Sequence, residues 1–355
     1  MTIFINKMKI RIYSIAKILG IFVLCRMLTR NRIRILCYHG GCIGDESKYN
    51  PLLFLSAKVF RDRIHWLSEK GFTVIPLNQA VQALNERKRI GRLPTVITFD
   101  DGWHSTAKQL IPILAEKKMP STLYLSTSDF EDGWPIPKVT LGYMVWKAGQ
   151  RRIKIAGLGE GIDGNYRLDE QPERTAFILK GCNWVTEPPV TREKVVERIL
   201  LLATSLGLNA DDMALETGRF DYLSEKELRF LPELGCSVEL HGHKHLYPAG
   251  NADAIAADLK SCREAIIKRG LAEPSHYCYP SGKYDEAADV MLRKLGVRSA
   301  TTCIPGHITQ GKSENKRYFM PRFLDGENIN MLIFEAELSG FSDLLRRISG
   351  RRLRI

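Results

Sequence analysis

The sequence predicts an α/β protein, a (β/α) barrel of seven or eight strands that carries an insertion of roughly 90 residues. Three observations lead to this fold class. The 355 residues are 44% hydrophobic and 26% charged, an ordinary globular composition that excludes a disordered chain. Short β-rich runs alternate with amphipathic helical stretches, as parallel strands with crossover helices require. The alternation shows no internal repeat and no division into two wound halves, which favours a barrel.

The predicted strands are short β-rich runs, and most are separated from the next by a helical pattern. In the stretch 59–70, for example, Phe60, Ile64 and Leu67 recur on one helix face, and Gly71 ends the helix. We expect strands at 33–39, 72–75, 95–99, 121–125, 237–240, 276–279, 298–302 and 319–324.

Residues 129–221 interrupt the alternation and form the predicted insertion. They contain several prolines and glycines and one long helical stretch at 191–206. The predicted division of the chain is a basic segment at 1–32, a barrel at 33–128 and 222–325, the insertion at 129–221, and a basic segment at 326–355.

The net charge of +12 is concentrated in the two end segments. Residues 1–34 contain eight basic and no acidic residues, and residues 339–355 contain five arginines against Asp343. The remaining 35–338 are therefore neutral overall. A neutral body argues against a nucleic-acid groove, because phosphate binding needs positive charge on the folded face itself.

The basic ends suggest contact with an anionic membrane surface. Residues 8–28 predict a basic amphipathic helix lying on the membrane, with a helix packed on the chain's own barrel as the alternative. The longest apolar run, 18–25, is far below the roughly 20 residues that span a bilayer. Eight scattered cysteines without a C-x-x-C pair favour a reducing compartment.

We therefore expect a cytoplasmic protein that is peripheral at the membrane, with an N-terminally anchored and exported protein as the alternative. This contact is expected to hold the mouth of the barrel near the bilayer.

Two adjacent carboxylates, Asp100 and Asp101, follow the strand predicted at 95–99. Catalytic groups of a (β/α) barrel lie just past the C-terminal ends of its strands, so both are expected at the barrel mouth. Gly102 permits the tight turn that directs them there. Because two free anions are unfavourable in one confined site, a cation or a proton must be shared. A polar loop that caps a helix is the alternative.

Three histidines, His241, His243 and His245, follow the strand predicted at 237–240. The H-x-x-x-H spacing of His241 and His245 brings two imidazoles to one ion, whereas His243 is expected behind the ligands or facing solvent. One carboxylate and two imidazoles form the ligand set of a catalytic zinc site with an open position. The other aspartate is then left as a base.

A third polar cluster, Y-P-S-G-K-Y-D-E at 279–286, is a strand-turn-helix junction at the same predicted end of the barrel. Its backbone N–H groups can face a developing oxyanion. An ordinary turn capped by Asp285 is the alternative.

At these residues the sequence resembles the polysaccharide deacetylase family, also called the NodB-homology or carbohydrate esterase family 4 fold. The runs T-F-D-D-G, H-x-x-x-H and Y-P-x-G-x-Y-D-E occur in the family's order. Tyr38 and His39 resemble the strand of members whose catalytic histidine precedes the aspartates. The resemblance covers about 33–128 and 222–325 and implies a distorted barrel of seven or eight strands.

The resemblance implies a metal site and a base. Asp101, His241 and His245 would hold a divalent metal, with Zn²⁺ as the expected ion. Asp100 would be the general base, and Arg322 of the M-P-R-F run would orient it.

The resemblance also implies a general acid and an oxyanion donor. His39 would be the acid, and the Ser281 N–H would help to bind the oxyanion. The chain departs from the family at Gly242, where Ser or Thr is usual, and at Cys278, where many members have arginine. No Leu-x-His follows the M-P-R-F run, which makes His39 the better candidate acid, with His307 second.

The resemblance and the residues together imply a metal-dependent N-deacetylase acting on an N-acetylated amino sugar in a glycan or a lipid-linked saccharide. One alternative is an O-acetyl esterase or another metal-dependent amidase. Another is a non-catalytic glycan-binding protein with a degenerate site.

Overall fold

The computed structural model describes residues 2–86, 88–127, 133–309 and 314–349. The predicted start of the insertion at residue 129 and the arginines Arg351, Arg352 and Arg354 lie outside the described residues.

Eight parallel strands form the central sheet of the described chain, so the predicted fold class is confirmed. The sheet order is β11-β10-β9-β6-β5-β1-β12, and β4 also pairs with β5. The strands are β1 Arg34–Tyr38, β2 Gly40–Gly41, β3 Phe54–Leu55, β4 Thr73–Val74, β5 Pro94–Asp101, β6 Ser121–Leu125, β7 Arg152–Ile155, β8 Gly164–Arg167, β9 Cys236–Leu240, β10 His276–Cys278, β11 Ser299–Thr301 and β12 Phe323–Leu324.

The segment that leads into β12 closes the sheet into a barrel. Met320 makes a parallel bridge with Thr301 of β11, and Phe323 and Leu324 pair with β1. Because the paired strands all run in the same direction, their C-terminal ends meet at one edge, which is the barrel mouth. One face of the strands, with Leu36 and Ile97, packs with the helices in a large apolar cluster, and the other face, with Ile35 and Val96, belongs to a second, smaller cluster.

The outer helices bury one apolar face each against the barrel. In the helix Ala57–Glu69, the Ser56 hydroxyl caps the N-terminus, and Phe60, Ile64 and Leu67 are fully buried as predicted. The helices are α1 Thr2–Ile18, α2 Ile21–Leu28, α3 Glu46–Tyr49, α4 Ala57–Glu69, α5 Leu77–Glu86, α6 His104–Gln109, α7 Ile111–Glu116, α8 Pro137–Ala148, α9 Gln171–Val185, α10 Arg192–Ser205, α11 Ala210–Met213, α12 Glu225–Phe230, α13 Ala252–Lys268, α14 Ala288–Lys294, α15 Met331–Ser339 and α16 Phe341–Ile348.

The described part of the insertion is a helical unit with one hairpin. It contains α8 to α11 and the antiparallel pair β7–β8. Its two ends are joined by a bridge between Pro135 and Asp221, and Tyr222 bridges Trp103 beside the end of β5. The insertion therefore leaves and rejoins the barrel at one place, next to the mouth.

The single basic helix predicted at 8–28 is two helices in the structure. Gly20 has a φ of +72°, a left-handed conformation that ends α1 and starts α2. The inner faces of α1 and α2 pack on α15 and α16 in a separate apolar cluster that includes Tyr13, Phe22 and Phe341. The alternative prediction, a helix packed on the chain's own barrel, therefore matches in part. The helices α1 and α2 are packed, but they contact α15 and α16.

Arg34 joins these end helices to the barrel. Its side chain, 1% exposed at the start of β1, donates to the Leu338 and Arg32 carbonyls and to the Thr29 hydroxyl. A buried guanidinium needs such acceptors, so the segment after α2 and the helix α15 are joined to the start of β1. Among the described residues, no helix combines enough length with enough apolar character to span a bilayer.

His307 lies under these end helices, and we expect it to make the fold less stable in acid. Its Nε2 donates to the Glu337 carbonyl at 2.8 Å, whereas its Nδ1 is buried without a hydrogen-bond partner. Burial, together with the charge of Arg34, holds the pKa of His307 well below its ordinary value. Since the folded pKa is depressed, the stabilisation is complete above about pH 6.5 and is lost as the pH falls.

Urea unfolding at about pH 7.5 and about pH 5 tests this expectation. His307→Gln keeps an amide donor for the Glu337 carbonyl but cannot titrate, so it should lose less stability in acid than the wild type. His65→Gln is the matched control, because His65 is an exposed histidine. An equal loss in the wild type and His307→Gln would show that His307 does not contribute.

Candidate active site at the barrel mouth

Polar residues from three strand ends meet at the mouth of the barrel. Asp100 and Asp101 end β5, His241 follows β9, and the turn Pro280–Gly282 follows β10. The order β10-β9-β6-β5 separates these ends by only one further strand. The predicted clusters therefore come together because parallel strands present their C-terminal ends at one edge.

Asp101, His241 and His245 form a compact cluster of ligand atoms. The Nε2 atoms of His241 and His245 each lie 3.2 Å from Asp101 Oδ1, and all three ligand atoms lie within 4.8 Å of one another. Ligand atoms of a tetrahedral zinc site with bonds of about 2.1 Å are about 3.4 Å apart. The observed spacing fits such a site.

The protonation of the cluster also fits a cation. His241 Nδ1 donates to the Cys278 carbonyl at 3.0 Å, which directs the ring so that its Nε2 faces Asp101 Oδ1. Asp101 Oδ1 is buried, and its polar neighbours are the two imidazoles. Burial disfavours the ionised carboxylate, but hydrogen bonding to the two imidazoles outweighs it, and the pKa of Asp101 is well below its ordinary value. Electron-rich atoms that converge in this way suit a divalent cation.

Asp100 is paired with Arg322, and one of its oxygens also lies within 4.8 Å of a His241 ring nitrogen and of Cys278 Sγ. The two guanidinium nitrogens donate to the two carboxylate oxygens at 2.7 and 2.8 Å, and the Arg322 side chain is fully buried. Burial favours the neutral acid, but the charge of Arg322 outweighs it and holds the pKa of Asp100 below its ordinary value. Asp100 is therefore a fixed carboxylate, as a base must be.

Two buried thiols complete the surroundings of Asp100. The Sγ atoms of Cys37 and Cys278 lie 3.5 and 3.6 Å from Asp100 Oδ2, and Arg322 also donates to Cys278 Sγ at 2.9 Å. At Cys278, where the family resemblance implies arginine, the thiol accepts from the same guanidinium that binds Asp100.

His39 lines the same cleft as Asp100 and Asp101. Its carbonyl accepts from the Thr106 hydroxyl, and its Nδ1 is buried without a hydrogen-bond partner. Burial lowers the pKa of His39, and the charges of the two aspartates partly offset this effect. The ring packs 5.9 Å from Trp103, which fixes its position beside the carboxylates.

His307 is not at this site. Its bond to Glu337 places it beneath the end helices, at the barrel end where the strands begin. The structure therefore rules out its role as the second candidate acid. His243, in the middle of the histidine run, is directed to the Thr127 hydroxyl at 2.9 Å and is not part of the ligand cluster.

Three site residues have a left-handed backbone conformation, which is rare for residues other than glycine. Asp101, His245 and Ser281 have φ values of +74°, +49° and +54°. Such conformations cost roughly 1–3 kcal/mol each and persist where the surroundings impose them. The left-handed turn at Ser281 carries its backbone to the wall of the cleft.

Asp258 positions the histidine loop, and the sequence patterns did not reveal it. Its carboxylate accepts from the His243 and Lys244 N–H groups at 2.7 and 2.8 Å. Gly242 has a φ of +81°, and a Cβ atom there would lie 2.9 Å from the Asp258 carboxylate. Glycine at position 242, where the family resemblance implies Ser or Thr, therefore leaves space for the Asp258 carboxylate. Asp258 lies within α13 without any motif, so only its position in space identifies it.

The site opens into a cleft of about 870 Å³ that the insertion helps to build. Trp134, Leu179 and Val190 line one wall, and Tyr49 and Tyr222 also contribute. The volume is within the usual range for small-molecule sites. The insertion thus adds mainly apolar and aromatic surface beside the polar mouth.

The fold and the site together define a class: parallel (β/α) barrels with a carboxylate-imidazole candidate metal centre and a separately held carboxylate at the mouth. The family model for polysaccharide deacetylases matches residues 90–148 and 175–300, more than half of the chain. This chain belongs to the polysaccharide deacetylase family, which confirms the resemblance seen in its motifs.

Similar proteins carry related names. Poly-β-1,6-N-acetyl-D-glucosamine N-deacetylase of Escherichia coli is 20% identical over 224 residues, which are 61% of this chain and 30% of that protein. This chain therefore spans about a third of the length of these curated relatives.

Solved structures show the same fold. The Streptococcus pyogenes deacetylase PplD, in complex with acetate, has a TM-score of 0.55 at 15% identity, covering 87% of this chain and 99% of that one. IcaB from Ammonifex degensii has a TM-score of 0.52 at 15% identity, covering 87% and 97%.

Proposed function

We propose that this protein is a metal-dependent N-deacetylase that hydrolyses the acetamide of an N-acetylated amino sugar in a glycan or a lipid-linked saccharide. The observation that carries the proposal is that the two adjacent aspartates have different partners. Asp101 faces two imidazoles, whereas Asp100 is bound by Arg322. One carboxylate is thus available as a metal ligand and the other as a base.

The proposed chemistry follows from this arrangement. Asp101, His241 and His245 would hold Zn²⁺ or another divalent ion, which supplies Lewis acidity to a water and to the amide carbonyl. Asp100 accepts a proton from the attacking water. Arg322 keeps the Asp100 carboxylate ionised and oriented for that transfer.

Other residues that line the cleft complete the proposed chemistry. His39, once protonated, donates that proton to the departing amine, so that acetate and a free amino sugar leave the site. The Ser281 N–H stabilises the charge that develops on the carbonyl oxygen. Trp134 and Tyr222 offer aromatic surface to the sugar rings beside the reacting acetamide. The name of the Escherichia coli relatives supports N-acetylglucosamine as the sugar.

Acetate release tests the proposal directly. The purified protein, supplied with Zn²⁺, should release acetate from N-acetylglucosamine oligomers, and mass spectrometry should show the loss of acetyl groups from the sugar. O-acetylated sugars form the parallel substrate set. Release from the O-acetylated sugars alone would identify an esterase, and glycan binding without release under any divalent metal would identify a binding protein.

The role of His39 gives a further prediction. We expect His39→Gln to lower kcat on N-acetylglucosamine oligomers by about 10²- to 10⁴-fold, the usual contribution of a general acid. An aryl acetate has a leaving group that needs no proton, so its hydrolysis should fall much less. His307→Gln is the matched control and should keep its kcat. A larger loss in His307→Gln than in His39→Gln would contradict the assignment.

A further inference from the structure

The outer surface of α1 and α2 exposes an unusual number of aliphatic side chains. Six of them form what we call the terminal apolar face. Their exposed fractions are 57% for Ile15, 83% for Ile18, 69% for Leu19, 54% for Leu24, 61% for Met27 and 74% for Leu28. Exposed apolar side chains are common singly, but a contiguous group of this kind marks an interaction surface.

The helices that carry this face are fixed in place by their other side. Tyr13, Ala16, Phe22 and Cys25 are buried against α15 and α16. Lys17 adds an ion pair of 2.7 Å to Glu335. The terminal apolar face is therefore the solvent-facing side of two helices whose other side is already packed. Its side chains remain available for contact with another surface.

The charge around the face is positive. Residues 1–34 contain no acidic residue, and Lys9, Arg11 and Arg30 are exposed. The acids of the neighbouring helices are buried and paired with basic side chains. These pairs are Lys17–Glu335, Arg346–Glu337, Arg32–Asp343 and Arg347–Asp343.

We propose that the terminal apolar face docks on an anionic lipid bilayer. Aliphatic side chains flanked by uncompensated basic residues match the acyl boundary and the negative headgroups of such a surface. A second copy of this chain fits less well, because a symmetric contact would bring the same basic residues against one another.

The structure also sets the direction in which the barrel then points. The Leu93 N–H, just before β5, donates to the Arg30 carbonyl at 2.8 Å, so α2 lies at the end where the strands begin. Val23, Arg26 and Met27 line a cavity with Gly71 and Arg92, at the same end. Docking through the terminal apolar face therefore differs from the expectation that the basic ends hold the mouth near the bilayer.

The mouth faces away from the docked surface. The eight residues of β5 separate the two barrel ends by about 25 Å, at about 3.3 Å per residue. Taken together with the proposed function, this distance favours one of the two substrate classes, an acetylated glycan chain that extends away from the bilayer. A sugar held at headgroup level is the less favoured substrate.

Vesicle sedimentation tests the docking without reference to activity. The full chain should pellet with phosphatidylcholine vesicles that contain about one quarter phosphatidylglycerol, and it should not pellet with phosphatidylcholine alone. Salt at about 0.5 M should weaken the binding. A triple variant, Leu19→Ser/Leu24→Ser/Leu28→Ser, should bind at least about tenfold more weakly.

The matched control changes three exposed apolar residues elsewhere, Leu201→Ser/Phe230→Ser/Ile267→Ser, and should bind as the wild type does. Both variants should release acetate from soluble oligomers at the wild-type rate, so a failure of docking is distinguishable from a failure of the proposed function. Absent binding of the wild type to anionic vesicles, or a dimer that the first triple variant abolishes, would overturn the proposal.

The orientation has its own test. A polarity-sensitive dye on Leu24→Cys, in a Cys303→Ser background, should shift to the blue when anionic vesicles are added. The same dye on the native Cys303, which is exposed in the mouth cleft, should not shift. A shift at Cys303 with none at Leu24→Cys would overturn the orientation.

Discussion

Replacing Asp100 with asparagine is expected to lower kcat by about 10²- to 10⁴-fold while the bound metal is retained. Asparagine has the same shape as aspartate but cannot accept the proton of the attacking water. The ligand cluster of Asp101, His241 and His245 does not include Asp100, so the metal content should stay near that of the wild type. Acetate release and elemental analysis of the same preparation measure the two effects. A kcat within about threefold of the wild type would contradict the assignment of the base.

The variant also removes the partner of a buried arginine, which must be separated from catalysis. Breaking a buried pair by removing one partner costs about 3–5 kcal/mol. Asp325→Asn is the matched control, because Asp325 and Arg63 form another buried pair, at 3.0 Å. It should lose comparable stability in urea unfolding but keep its kcat per folded molecule. If Asp325→Asn lost turnover to the same extent, the effect of Asp100→Asn would reflect stability alone.

The double variant His241→Ala/His245→Ala is expected to lose both the bound divalent ion and acetate release. Elemental analysis of the wild type should find about one ion per chain, because three ligand atoms converge at one point. One carboxylate alone is a weak ligand for Zn²⁺, so the double variant should bind little metal. Chelation of the wild type should likewise abolish acetate release, and added Zn²⁺ should restore it.

His243→Ala is the control for this prediction. His243 belongs to the same run of histidines, but its Nδ1 contacts Thr127. This variant should therefore keep its metal and most of its activity. Full metal occupancy in the double variant would show that the ion, if any, is bound elsewhere.

Local patterns in the sequence determined the barrel and the edge at which the site lies. Each of the eight predicted strands overlaps a strand of the observed sheet, because the side-chain pattern of a strand or helix depends on neighbouring residues. The polar clusters at 100–101, 241–245 and 279–286 directly follow or end such strands. Since parallel strands end at one edge, their convergence was already implied.

The supporting contacts of the site depended on the tertiary structure. Arg322 lies 222 residues from Asp100 in the chain, and the family resemblance, rather than any local pattern, suggested their pairing. Asp258 had no local signal, since a single aspartate in a helix is ordinary until a loop is found to donate to it. His307 could be excluded as the acid only when its carbonyl partner was seen.

The end segments show the same division. The positions of the charged residues in the sequence alone determined that the excess basic charge lies in the first 34 and last 17 residues, among aliphatic side chains. Only the tertiary structure decided which face of α1 and α2 is buried and at which end of the barrel they lie. Lys17 and Glu335 are 318 residues apart, and contacts at such separation depend on the path of the whole chain. A local pattern can therefore predict that a helix is amphipathic, but the surface that it covers is set by the packing of the folded protein.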